Sequence, residues 1–227
     1  MKKILTILTL FFMNISCFSG ILGPAFQQLW VQKYLCCPDD NHPHAIDLGL
    51  PSGTKWACCN ISDDLPQPTD HGVFYAWGET ETKDFFHWIT YTHCDGLEET
   101  CNHIGNNISG TQYDVAHMEW GGLWRMPSVK QFHELVDYCA AKWTVTGLKG
   151  CYGLLITGPN GNTIFLPAAG GCWCYDNVYS EEFGYYWSSS LDPDNDGNAY
   201  LFIFEREHWK WDASHYRALG LSVRPVR

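Results

Sequence analysis

Four strings set the terms on which this chain can fold. They are Trp124-Arg125-Met126-Pro127, Ile164-Phe165-Leu166-Pro167-Ala168-Ala169-Gly170, Tyr185-Tyr186-Trp187-Ser188-Ser189-Ser190 and Leu221-Ser222-Val223-Arg224-Pro225-Val226. Each is an apolar or aromatic run closed by Pro, Gly or Ser, the pattern of a buried strand that ends in a tight turn. None carries a catalytic constellation, so the strings describe a frame before they describe a function. Trp56, Trp77, Trp124 and Trp187, which lie in these or two further strings, and Trp120 are read as core, because burying such rings removes a large apolar area from water.

Local signals between the strings predict an α+β fold of antiparallel strands and hairpins with two helices. Ser128 followed by Gln131 makes a capping box, and Val129, Phe132, Leu135, Val136 and Cys139 fall on one face, so a helix of about three turns starts just after Pro127. A shorter helix is read over Tyr113 to Glu119, closed by Gly121-Gly122. Leu154 to Thr157 and Thr163 to Leu166 flank Gly158-Pro159-Asn160-Gly161-Asn162, which predicts a hairpin. Further strands are expected at Tyr185 to Ser189, Ala199 to Glu205, Trp209 to Trp211 and Leu221 to Val226.

The first twenty residues pair a basic start, Lys2 and Lys3, with an apolar stretch and small residues, as a secretory signal peptide does; they are too short for a membrane span. Cys17 is a candidate lipid anchor, although Asn14 stands where Leu is preferred; an ordinary cut that frees a soluble product is the other reading. Residues 21–43 read as a leader and 44–227 as one domain. The formal net charge of −11 repels phosphate backbones and argues against nucleic-acid partners. In an exported chain, eleven cysteines read first as disulfides. Cys94 and Cys101 bound a short loop and form the best local pair, adjacent cysteines such as Cys58-Cys59 should each seek a distant partner, and the rest of the connectivity stays open.

With His44-Ala45-Ile46-Asp47-Leu48-Gly49-Leu50-Pro51-Ser52-Gly53-Thr54-Lys55-Trp56-Ala57 and Tyr75-Ala76-Trp77-Gly78-Glu79-Thr80, the four strings resemble the Fibrobacter succinogenes major paralogous domain family, in its order, from about His44 onward. The resemblance implies a secreted or envelope-anchored bacterial domain, similar to C-type-lectin-like folds used for display and binding, with no enzymatic activity.

Enzyme signatures are missing from the sequence. It holds no Gly-x-Ser-x-Gly elbow, no His-Glu-x-x-His and no phosphate-cradling glycine loop, and nothing supplies a base to Ser188-Ser189-Ser190. Glu79, Arg125 and Arg224 read as buried structural ion pairs. Asp192, Asp194 and Asp196 match the first half of a calcium loop, but Ile203 stands where a bidentate Glu belongs, so an acidic turn is the favoured reading over a calcium site. His93, Cys94, Cys101 and His103 match no standard zinc spacing, and His42 with His44 reads as a solvated lead-in to the domain.

The stretch least explained by folding is 191–219. Tyr200, Phe202, Arg206, His208, Trp209, Trp211, His215, Tyr216 and Arg217 mix aromatics with Arg and His as adaptable recognition surfaces do, although strand alternation lets only some of them face a ligand. The expected function is a non-enzymatic exported module that binds a glycan or protein at the cell surface through these residues, without a required cofactor. The alternative is a structural subunit of a fimbria or envelope layer.

Overall fold

The computed structural model describes residues 37, 39, 41–63, 66–146 and 150–227. The expected signal peptide, Cys17 and most of the expected leader lie outside the described residues. The fold is α+β and its sheets are antiparallel. β1 (Ala45–Asp47) pairs with β2 (Lys55–Ala57). Then come α1 (Val115–Trp120) and α2 (Val129–Tyr138), followed by β3 (Ala140–Thr146), β4 (Cys151–Thr157) and β5 (Thr163–Pro167), a sheet in the order β3-β4-β5. A small ribbon, β6 (Gly171–Trp173) with β7 (Asp176–Val178), leads to β8 (Gly184–Leu191), β9 (Asn198–Phe204) and β10 (Trp209–Tyr216), where β9 is central.

Local chemistry accounts for the helices. In α2, Ser128 Oγ accepts from the Gln131 amide and the Gln131 side chain returns a bond to the Ser128 amide, so the predicted box is present. Phe132 and Leu135 are buried on the predicted face. The α1 helix starts at Asp114, whose carboxylate accepts from the amides of Gly110, Ala116, His117 and Met126, and ends at Gly121 with φ 63°. That starts α1 two residues later than expected, because the aspartate fixes the cap.

The strings interlock. The Trp77 indole donates to the Ser188 carbonyl and the Trp187 indole to the Tyr75 carbonyl, both at 2.8 Å. Ser189 N–H donates to Pro127 O at 2.7 Å, where β8 loses register with β9. Residues 221–226 form no regular strand, contrary to expectation. They are instead shared among several neighbours through single bridges, Leu221 to Tyr75, Ser222 to Tyr186, and Val226 to both Trp56 and Arg125. Of the five tryptophans expected in the core, Trp56, Trp77, Trp124 and Trp187 are buried, and Trp120 is half-buried between the two main clusters.

Those clusters lie on opposite sides of β9. Phe202 and Phe204 pack with Phe132, Leu154 and Phe165 on one side, while Ala199 and Leu201 pack with Trp77, Trp187 and Val223 on the other. A central strand covered on both faces has no solvent side. Phe202 is therefore 1% exposed and cannot meet a ligand, which corrects its assignment to the recognition surface.

Glycine is required at Gly170, which has φ 71° and lies against the β6–β7 ribbon. An added Cβ there would crowd the Val178 carbonyl and come within 2.7 Å of Asn177 Oδ1 and Ser180 N. Gly170→Ala is expected to cost about 2–3 kcal/mol in urea unfolding, from left-handed strain plus overpacking. At Gly161, with φ 85° but open space around it, the same change should cost only about 1 kcal/mol. Equal costs at the two positions would mean that the ribbon contact is unimportant.

Candidate functional site

The ribbon held by Gly170 forms one wall of an open cleft of about 360 Å³. Trp173 of β6, Val178 and Tyr179 at the end of β7, Tyr185 of β8, and His215 and Tyr216 at the end of β10 line it. Gly171 keeps its floor shallow, since a Cβ there would meet Leu221 Cδ2 at 2.7 Å. Trp173 and Tyr216 are neighbours tilted by 38° with centroids 6.3 Å apart, and Trp88 closes edge-on to Tyr216 at 5.4 Å. A second row of rings runs alongside, with His87 5.3 Å from Trp173, and Phe85 4.6 Å from the exposed Tyr175.

The backbone of this wall is strained. Cys174, Tyr179 and Glu181 have φ of 58°, 62° and 68°, and they are the non-glycine residues with positive φ among the described residues. Each such residue costs about 1–2 kcal/mol and persists only where the surroundings impose it. Here they do: Cys174 exchanges both backbone bonds with Phe86, Glu181 N–H donates to Ala168 O at 2.7 Å, and Phe183 N–H donates to Tyr179 O at 3.0 Å. Strain of this kind collects where a fold holds a loop in a set shape for function.

The cleft carries no charged side chain among the described residues that line it. Burial pushes the Tyr185 phenol up to about 12, so it remains a donor at neutral pH. His215 is held below the ordinary histidine value by desolvation, and its Nδ1 accepts from the Tyr216 amide at 2.9 Å, which puts the proton of the neutral ring on Nε2. In a chain of net charge −11, an uncharged aromatic cleft is a selective local environment, suited to a neutral ligand with apolar faces and hydroxyl edges.

The nine residues expected to form one surface are divided among several places. His215 and Tyr216 are at the cleft. Trp209, at the other end of an eight-residue strand, is roughly 23 Å of chain away, with exposed Arg206 and His208 beside it in the β9–β10 turn. A register shift between Lys210 and Ala213 accompanies Trp211 packing on α2, where it stacks on His133 at 4.2 Å. Tyr200 lies on β9 opposite Ser214, half-buried. Arg217 is 0% exposed, wedged over the rings of Trp77 and Tyr91 and bonded to Tyr91 Oη, Asn102 O and Asp196 O at 2.8–3.0 Å, so it is structural and not a ligand contact. The cleft residues Trp173 and Tyr179 were not anticipated. The signal for them was present in Cys172-Trp173-Cys174-Tyr175-Asp176-Asn177-Val178-Tyr179, an aromatic alternation around a polar turn that reads as a short hairpin.

The remaining candidates resolve as scaffold. Asp192 accepts from the Asp194 amide at 3.0 Å and from Ser214 Oγ at 2.5 Å, and Asp196 pairs with His103 at 3.1 Å. Their carboxylates do not gather within 4.8 Å of one another, so the turn is held by its own hydrogen bonds and does not present a formed calcium cage. Cys94 and Cys101 form the expected disulfide. Cys58, Cys59, Cys139, Cys151, Cys172 and Cys174 stand as thiols, against the broader disulfide expectation. Glu79 is buried and paired with Lys83, not with Arg125 or Arg224, and it also accepts from the Thr92 amide.

Burial holds His71, His93 and His215 below the ordinary histidine value. Between the folded and ordinary values the unfolded chain binds more protons, so stability rises with pH through that interval. Urea midpoints should therefore be level above about pH 6.5 and fall as the pH is lowered beneath it. His93→Gln should flatten the slope; an unchanged slope would remove His93 from the effect. No family model, curated protein or solved structure matches this chain.

Proposed function

We propose that this chain is an exported, non-enzymatic binding module, with a C-type-lectin-like fold and a surface or lipid-anchored location, that takes a neutral glycan in the cleft lined by Trp173 and Tyr216. The observation that carries this reading is an open cavity of about 360 Å³ walled by Trp and Tyr rings and free of ionised side chains, with its ribbon wall held in a strained backbone conformation. Sugar rings offer apolar C–H faces to such rings and hydroxyls to the Tyr185 phenol and His215 imidazole. A charged peptide would find no counter-charge there.

An assembly role is favoured by a different observation. The strand β3 is at the edge of its sheet, Val145 on it is 51% exposed, and Tyr152 beside it is 37% exposed, so another strand could add there. A glycan array with the purified chain, run beside a sizing measurement, separates the two. Retention of neutral glycans by a monomer supports the module. Absence of any retained glycan, together with self-association lost on Val145→Lys, would replace it with the assembly subunit.

A further inference from the structure

A second site lies far from the aromatic rings, where the last leader residues meet β2. Cys58 follows β2 directly and is buried, as are Cys37 and Cys59. Cys37 Sγ, Cys58 Sγ and a ring nitrogen of His42 lie within 4.8 Å of one another, and among the described residues theirs is the group of three metal-capable side chains that converges in this way. His42 Nδ1 is 3.2 Å from Cys58 Sγ. The Cys59 sulfur is 3.8 Å from the same atom. These spacings are close to the edges of a tetrahedron with metal–sulfur bonds of about 2.3 Å and metal–nitrogen bonds of about 2.0 Å.

The geometry points to a tetrahedral transition-metal site in which Cys37, Cys58 and His42 hold one Zn²⁺, with the Cys59 sulfur, as its thiolate, or a water at the fourth position. Two thiolates and an imidazole are borderline-soft donors that suit zinc and discriminate against calcium and magnesium. On binding, the Cys37 and Cys58 thiols release their protons to solvent and no electron moves. Burial of Cys37 and Cys58 shields both sulfurs from solvent, as a structural metal site requires. The neighbouring shell is built as well. His44 N–H donates to Cys58 Sγ at 3.1 Å, and the His44 ring packs edge-on to His42 at 5.1 Å while its Nε2 holds Asp39 at 3.1 Å. The pair once read as a solvated lead-in is thus packed against a buried sulfur. A bound ion would clamp residues 37–44 to β2 and so fasten the leader to the domain.

The test uses the full chain, kept reduced and titrated with Co²⁺, whose thiolate complexes absorb by sulfur-to-metal charge transfer. One equivalent of Co²⁺ should give that absorption together with the intense visible bands of a tetrahedral ion, and Zn²⁺ should displace it. Cys58→Ser and Cys37→Ser should abolish the bands, Cys139→Ser should keep them, and His42→Ala should weaken binding by at least about tenfold, the lower end of what losing even an outer partner costs a metal site. Zn²⁺ should also raise the melting temperature of the unaltered protein, a readout that does not depend on any variant folding. The site is refuted if the folded, reduced protein gives no charge-transfer band or if the bands survive Cys58→Ser. Recovery of a Cys37–Cys58 disulfide from protein purified without reductant and with zinc present also overturns it, since the two sulfurs would then be a covalent staple. None of these outcomes bears on the aromatic cleft.

Discussion

Arg224→Ala is expected to lower folding stability by about 3–5 kcal/mol, as breaking a buried charged network does. Arg224 is 0% exposed, and its guanidinium donates to Asn60 Oδ1, Ala57 O and Phe165 O at 2.8, 3.0 and 2.9 Å. Truncation leaves three buried acceptors without this donor, each worth about 1–3 kcal/mol, while relief of the guanidinium's own desolvation offsets part of the loss. Domains of this kind hold about 5–15 kcal/mol in total, so the variant should be marginal. Arg224→Lys should also fail to restore stability, because one ammonium cannot reproduce a planar fork aimed at three segments. Arg125 makes a single 3.3 Å contact to the Leu123 carbonyl, and its replacement should cost no more than about 0.5 kcal/mol. Urea midpoints at constant slope decide the matter, and an Arg224→Ala protein within about 1 kcal/mol of the parent would show that the clamp is dispensable.

Trp173→Ala and Tyr216→Ala should each weaken glycan retention by about 30-fold or more, corresponding to the roughly 2 kcal/mol that a central aromatic anchor carries in a binding site. The two rings are tilted neighbours in the cleft wall, so removing either takes away part of the platform on which the ligand stacks. His208→Ala and Arg206→Ala, in the turn at the far end of β10, should leave retention unchanged. Circular dichroism and melting of all four proteins keep a folding defect from being scored as lost binding. If the turn variants lose the ligand and the cleft variants keep it, the site belongs at the Trp209 end.

What could be read from the residues was local. The Ser128–Gln131 box, the Gly158–Asn162 turn and the Cys94–Cys101 loop each depend on residues close in sequence, and each stands as expected. The α+β class followed from them. Arg217 and Phe202 were misjudged for reasons that lie far along the chain. Arg217 looks like a surface cation until Trp77, Tyr91 and Asn102 close around it, more than a hundred residues away in sequence. Phe202 alternates like a half-exposed strand residue, but α2 and β4–β5 cover one face of its strand and Trp77 and Trp187 the other. The cleft was missed because its walls come from β6–β7, β8 and β10, three segments with nothing in common except where the frame delivers them.

The single bridges made by residues 221–227 set an order in time. Lys55 and Arg227 exchange both of their backbone bonds, Ala57 donates to Pro225 O, and Arg125 and Val226 exchange theirs. A growing chain makes β2 early but cannot cover its free edge until residues 225–227 have been added. Partners so distant in sequence also make for slow closure. The cleft floor at Leu221 belongs to the same stretch, so the aromatic cleft is complete only once residues 219–221 are in place. A chain cut before Leu221 would therefore lack both the cover of β2 and the floor of the cleft.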